Sequence, residues 1–225
     1  LLAEKNKVNL EYEASVAAGI PIIRSIKEGL ISNKIFKLVG ILNGTSNYIL
    51  SRMEITGKTF KEILNEAKKF GYAEKNPISD LDGNDVASKI RILSSLCFKT
   101  LISKNNILIN GIDNIEVEDV VNARNLGFKI KLLGITEIKN KYIFERVHPS
   151  LVDINSYMAN INGVFNATII KSYPVGQSIM QGEGAGPGPT TSALMSDLYS
   201  ILRGNIKFPF IKPYRLRKKI KQFNY

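Results

Sequence analysis

The sequence predicts an α/β chain in which helices pack on a mixed β-sheet. Segments with apolar residues at alternate positions are interleaved with segments of helical period, which is the pattern of a sheet covered by helices. Asn, Asp and Gly clusters separate them at short intervals, as turns require. No internal repeat is visible.

Taken in order, "LLAEKN" reads as the end of a helix and "KVNLEYEASV" as strand alternation. "KIFKLVGILN", residues 34 to 43, reads as a buried strand ending in the turn-prone "NGTSN". "GKTFKEILNEAKKFG" is a marked helix: Thr59 and Glu62 have the spacing of a capping box, and Phe60, Ile63, Leu64 and Ala67 form one apolar face. Gly71 ends it. A second helix begins near Asp82 or Asn84, with Val86, Ile90, Leu93 and Cys97 facing one way. Next come a strand in "NILINGI", a short helix around "VEDVVNARNLG", and strands in "IKLLGITEI", "YIFERV" and "FNATIIKSY". "GQSIMQGEGAGPGPT" then leads into a last helix, "TTSALMSDLYSIL".

Composition narrows the function classes. With 44% apolar and 23% charged residues over 225 positions, the chain can bury a sizeable core. Its longest apolar run, "SVAAGIPII", is far short of the ~20 residues a membrane helix needs. "LLAEKNKVNLEYE" lacks the parts of a signal peptide, and one cysteine, Cys97, permits no internal disulfide. These features predict a cytoplasmic protein. The net charge of +11 is uneven: six of the 31 basic residues lie in the last fourteen positions, where no acid stands. No nucleic-acid motif accompanies that tail, so it is read as a solvated terminus or linker, with neither nucleic acid nor membrane as partner; a nucleic-acid binder acting through residues 212 to 225 is the weaker alternative. The chain opens at Leu1 in mid-pattern, which predicts a piece of a longer protein or a processed product.

Against this basic background, "GYAEKNPISDLDGNDVASK" (71 to 89) carries Glu74, Asp80, Asp82 and Asp85 and ends on Lys89. A calcium loop counted from Asp80 would need glycine at position six and glutamate at position twelve, where Asp85 and Arg91 stand. A zinc site is no better served by one cysteine and one histidine. Two readings remain. One is a solvated turn, with Asp85 and Lys89 as an i,i+4 surface pair worth ~0.2–0.5 kcal/mol. The other is a pocket for a small zwitterion: carboxylates to take an ammonium group, and a lysine held by Asp85 to protonate a carbonyl or stabilise a developing alkoxide.

This stretch resembles the substrate segment of homoserine dehydrogenases. So do "YEASVAAGIPIIRSIKEGL" (12 to 30), "GILNGTSNYIL" (40 to 50), "RVHPSLV" (146 to 152), "NINGVFNA" (160 to 167) and "GEGAGPGPTTSALMSDL" (182 to 198), in the family's order and spacing. The resemblance implies NAD- or NADP-dependent interconversion of L-homoserine and L-aspartate 4-semialdehyde, on the route to threonine, methionine and isoleucine. It makes Lys89 the catalytic lysine. Glu74, Asp80, Asp85 and Thr45 become substrate residues, and Gly71, Glu74 and Gly186 cofactor contacts. It also implies a monovalent-cation loop, a sodium site with Glu13 and the carbonyls of Val16, Ala18 and Ile20, and a homodimer. His148 and Cys97 read as structural, since neither has a catalytic partner nearby in sequence and the family assigns them no role.

The glycine loop alone would not reveal a cofactor site, since Pro187 and Pro189 fill the last places of the G-x-G-x-x-G frames that start at Gly182 and Gly184. Its context, a loop feeding a helix, offers free N–H groups to an anion or cofactor. Asn76 stands where the family often has aspartate, removing one negative charge beside the pocket. No strand, glycine turn and helix of the dinucleotide-binding kind precedes the matched blocks, and the family's second active-site lysine is missing with it. The implied division is a remnant of a nucleotide-binding domain (1–11), a substrate and dimerisation domain (12–180), a glycine loop and helix returning to the nucleotide domain (181–204) and a basic tail (205–225). The last helix would dock on the absent Rossmann domain. The competing class is a non-catalytic amino-acid-binding or oligomerisation module that retains the substrate fold.

Overall fold

The computed structural model describes residues 2–100 and 107–204. The basic tail of 205–225, and the first residue of the strand expected in "NILINGI", lie outside them. Six strands form one sheet in the order β2-β4-β3-β1-β5-β6: β1 (Lys34–Ile41), β2 (Leu108–Ile109), β3 (Phe128–Lys139), β4 (Tyr142–Asp153), β5 (Phe165–Tyr173) and β6 (Gly176–Glu183). All neighbours run antiparallel except β2 and β4, so the sheet is mixed. The helices are α1 (Leu2–Lys5), α2 (Ile22–Arg24), α3 (Gly44–Thr56), α4 (Phe60–Lys69), α5 (Ile78–Leu81), α6 (Asn84–Phe98), α7 (Val117–Asn125) and α8 (Pro187–Leu202).

Strand periodicity assigns the two faces of the sheet. Ile35, Leu38, Leu132, Val147 and Ile170 point to the helical side and join Val86, Ile90 and Leu93 of α6 in the main core. Ile41, Leu133, Ile135 and Ala167 point the other way, into a smaller cluster closed by Met158 and Ile161. On α4, Thr59 and Glu62 make both bonds of the expected capping box, and Ile63 and Ala67 are buried. Tyr48 Oη and Arg52 Nε of α3 both donate to Glu66 Oε1, at 2.7 and 2.8 Å, clamping α3 to α4. Burial, with the Glu66 carboxylate, pushes the Tyr48 phenol up to about 12.

Several local readings are corrected. "KVNLEYEASV" forms no strand: residues 8–12 are irregular and Glu13–Ser15 is a single 3₁₀ turn. Its alternation has no neighbouring strand to pair with, so its N–H groups bond within single turns, as Ser15 does to the Tyr12 carbonyl, or, at Glu13, to the Asp197 carboxylate. "NGTSN" is a helix start, with Asn43 Oδ1 accepting from the Ser46 N–H at 2.8 Å as the cap of α3. "GQSIMQGE" is the edge strand β6, because the full length of β5 offers it a ladder. The strand expected in "NILINGI" shrinks to two residues.

Two glycines fix the corner that carries the acidic stretch. Gly83, at φ 86°, caps α6 in the left-handed region, where a side chain would press on Ile109 and Val147. At Gly111 a Cβ would overlap the Leu81 carbonyl oxygen and come within 2.6 Å of Asp82 Cα. Backbone cannot yield as a flexible side chain can, so Gly111→Ala is expected to cost ~1–3 kcal/mol through overpacking. A lowered urea midpoint at unchanged slope would register it; an unchanged midpoint would mean that the corner relaxes freely.

Candidate substrate site

The site forms where β1 ends and α3, α5 and α6 converge. The last residues before α3, Leu42 and Asn43, are both buried. Lys89 and Asp85 lie one turn apart on α6, and their side chains meet: Lys89 Nζ donates to Asp85 Oδ2 at 2.8 Å and to the Leu42 carbonyl at 2.9 Å. Asp80, on α5, comes to the same point through Asn43, whose Nδ2 donates to Asp80 Oδ1 at 2.8 Å and to Asp85 Oδ2 at 2.9 Å. Lys89 and Asp85 keep 20% and 27% side-chain exposure, so solvent reaches them. A solvated i,i+4 pair would not be built onto a buried carbonyl and a buried amide.

The remaining expected residues are distributed unevenly. Thr45, in the first turn of α3, spends its hydroxyl on the Tyr72 carbonyl at 2.7 Å, which ties the loop after α4 to the site. Glu74 is exposed on that loop and Gly71, at φ 77°, begins it. Gly186, at φ 107°, precedes α8, whose Pro189 lies against Gly19. No hydrogen bond joins Glu74, Gly71 or Gly186 to the Asp80–Asp85–Lys89 cluster among the described residues.

The α8 terminus departs from the expected cradle of free N–H groups. Its first three residues are Pro187, Gly188 and Pro189, and the Thr190 N–H already bonds to the Gly186 carbonyl. Proline has no N–H, so only Gly188 can offer an unpaired donor in that turn. What the first turn of α8 can give an anion is the Gly188 N–H, with close backbone approach at glycine.

In the expected cation loop, Glu13 is 4% exposed and its carboxylate accepts from the Ile23 and Arg24 N–H groups at 2.7 and 2.8 Å. Burial pushes its carboxyl up, partly offset by those two amides. Ala17 and Ala18 are left-handed, at φ 55° and 31°. Among the described residues the carbonyls of Val16 and Ala18 accept no backbone hydrogen bond, while that of Ile20 accepts from Ile22. A donor set of carbonyl and carboxylate oxygens fits a hard cation. His148 Nδ1 is engaged with Ser150 Oγ and the Pro149 carbonyl. Cys97 is buried, and burial pushes its thiol up, so neither residue belongs to this site.

Asn43 escaped sequence reading because "NG" after a strand is first a turn signal. Its partners lie 37 and 42 residues away.

A family model described as homoserine dehydrogenase matches residues 21–199. The chain is 44% identical over 202 residues to the homoserine dehydrogenase of Neisseria gonorrhoeae, covering 90% of this chain and 46% of that protein. It is 43% identical over 213 residues to that of Helicobacter pylori, covering 94% and 51%. It thus spans about half the length of the curated relatives it matches. A crystal structure of a homoserine dehydrogenase from Thiobacillus denitrificans superposes with a TM-score of 0.88 at 41% identity, over 95% of this chain and 50% of that one. A hyperthermophilic archaeal homoserine dehydrogenase mutant in complex with NADPH superposes at 0.77 and 26% identity, over 94% and 60%.

Proposed function

The chain belongs to the homoserine dehydrogenase family, and on that premise we propose that it is the substrate-binding part of an enzyme interconverting L-homoserine and L-aspartate 4-semialdehyde. The observation that carries this reading is the Asp80–Asn43–Asp85–Lys89 cluster. Asp80, Asp85 and Glu74 take the substrate ammonium group, and Thr45 lies at the substrate's edge. Lys89, with two of its three N–H donors held among the described residues, gives a proton to the aldehyde oxygen during reduction and takes it back during oxidation. NAD or NADP, when bound, supplies or accepts the hydride; Gly71, Glu74 and Gly186 are the contacts this chain would offer it.

The division of the chain follows from the same reading. α8 is bonded to the 11–24 segment through Ser196, Asp197 and Ser200, yet Leu194, Leu198, Tyr199 and Leu202 on it are 46–71% exposed. That apolar surface supports docking on a nucleotide-binding domain, with residues 12–180 as the substrate domain, 181–204 as the return and 1–11 as the edge of the other domain. The sheet face away from the helices carries Ile169 and Ile179 side by side, with Phe165 nearby, which supports a homodimer across it. Glu13 and the Val16, Ala18 and Ile20 carbonyls would hold a monovalent cation. Among the described residues no helix is long and apolar enough to cross a membrane, in keeping with a cytoplasmic biosynthetic role.

The test is L-homoserine-dependent reduction of NAD or NADP by the protein expressed with its complete coding sequence. Saturable turnover is expected. Homoserine binding without turnover would instead favour an amino-acid-binding module. The 225-residue chain alone is expected to oxidise homoserine with neither cofactor, and a measurable rate from pure material would refute that dependence on a separate nucleotide domain.

A further inference from the structure

Asn43 is 5% exposed and makes three side-chain hydrogen bonds with different purposes. Its Oδ1 caps α3 on the Ser46 N–H. Its Nδ2 spends both protons on carboxylates, one on Asp80 and one on Asp85. The orientation of the amide follows from the chemistry: a flip would set its oxygen against two carboxylate oxygens and its nitrogen against an N–H. Asp85 Oδ2 accepts from Lys89 as well, so the amide and the lysine share one oxygen. Neither the residues matched to substrate nor the lysine accounts for this arrangement, since two carboxylates brought to one point repel unless a donor stands between them.

We propose that Asn43 is the positioning residue of the ammonium site: its amide nitrogen holds Asp80 and Asp85 side by side, leaving Asp80 Oδ2 and Asp85 Oδ1 to accept from a substrate ammonium, and through Asp85 it sets Lys89. This rests on the homoserine reading above and deepens it. Asn43 acts through the groups that touch substrate and forms no bond to the reacting atoms. Its effect therefore falls on the KM for the amino-acid substrate as well as on kcat.

Three substitutions separate bridging from capping. Serine and aspartate cap helices about as well as asparagine, whereas alanine does not. Asn43→Ser keeps the cap and loses the bridge. It is expected to keep the thermal midpoint above that of Asn43→Ala and to lower kcat/KM about 10²-fold, the scale of an ångström-sized misplacement. Asn43→Ala is expected to lose the midpoint too. Asn43→Asp also keeps the cap but sets a third carboxylate against the other two. Its activity is expected to fall furthest at high pH and to recover relative to wild type as pH falls, when the new carboxyl regains an O–H donor. The measurements are steady-state kinetics against L-homoserine from pH 6 to 9, with thermal melts, on the complete protein. Asn43→Ser within about threefold of wild type in kcat/KM would overturn the proposal, that being a small part of the misplacement effect. So would an Asn43→Ser midpoint as low as that of Asn43→Ala, or an Asn43→Asp pH profile parallel to wild type. An inactive wild-type protein would overturn the homoserine reading and this one together, whereas an active wild type with an active Asn43→Ser overturns only the role of Asn43.

Discussion

Lys89→Ala is expected to lower kcat by about 10²–10⁴-fold in the complete protein, the range set by loss of a positioned proton-transfer group. The fold should survive. Lys89 is partly exposed and its salt bridge to Asp85 is an i,i+4 pair on α6. Removing it leaves Asp85 still bonded to Asn43 and leaves only the Leu42 carbonyl short of a partner. The loss therefore falls on the proposed chemistry: the oxygen that would become an alkoxide during reduction loses the proton and the positive charge that Lys89 supplies. If Lys89 acts in the transition state alone, kcat and kcat/KM fall together. Kinetics on Lys89→Ala, beside a far-ultraviolet spectrum and melting curve matching wild type, check this. Near-normal turnover would remove Lys89 from the mechanism.

The second large effect is on stability, and it comes from two buried ionisable groups outside the site. Glu145, on β4, is 4% exposed with both oxygens lacking a hydrogen-bond partner among the described residues. The nearby Ser94 hydroxyl is engaged with Thr136, at 2.8 Å. Burial pushes the Glu145 carboxyl up to about 7, against the opposing pull of Ser94 and Arg91. Lys131, on β3, is 1% exposed and rests on neutral acceptors: Asn47 Oδ1, Ser51 Oγ, Asn162 Oδ1 and the Ile161 carbonyl. Burial pushes its ammonium down to about 8, with Glu54 opposing the shift.

The two signs differ. Between about 4.5 and 7 the folded protein keeps a proton on Glu145 that the unfolded chain has lost, so stability falls as pH rises. Between about 8 and 10.5 the unfolded chain holds a proton on Lys131 that the folded protein has lost, so stability rises with pH. The result is a trough between pH 7 and 8, with each wall on the order of 3 kcal/mol high. Urea unfolding at pH 5, 7.5 and 9.5 measures it. Glu145→Gln is expected to flatten the acid wall and Lys131→Met the alkaline one. A maximum at pH 7.5 would refute the account.

Much of the candidate site was legible in the chain itself, because its signals are short-range. Asp85 and Lys89 meet through the turn of one helix, the Thr59–Glu62 box closes within one helical turn, and β5 emerges with the bounds its residues suggest. Family membership was legible too, from six ordered blocks.

Other features depend on partners distant in sequence, and only the tertiary structure decided them. β6 is a strand because β5 offers a ladder, and "KVNLEYEASV" is not because nothing pairs with it. Glu145 and Lys131 look like surface charges in a list of residues, and packing alone makes them buried ones. Asn43 carries no mark of its role, since its carboxylate partners reach it only when α5 and α6 fold back on the end of β1. Local pattern selected the lysine and its aspartate; the convergence of three helices on one strand end supplied the amide that holds the second carboxylate beside them.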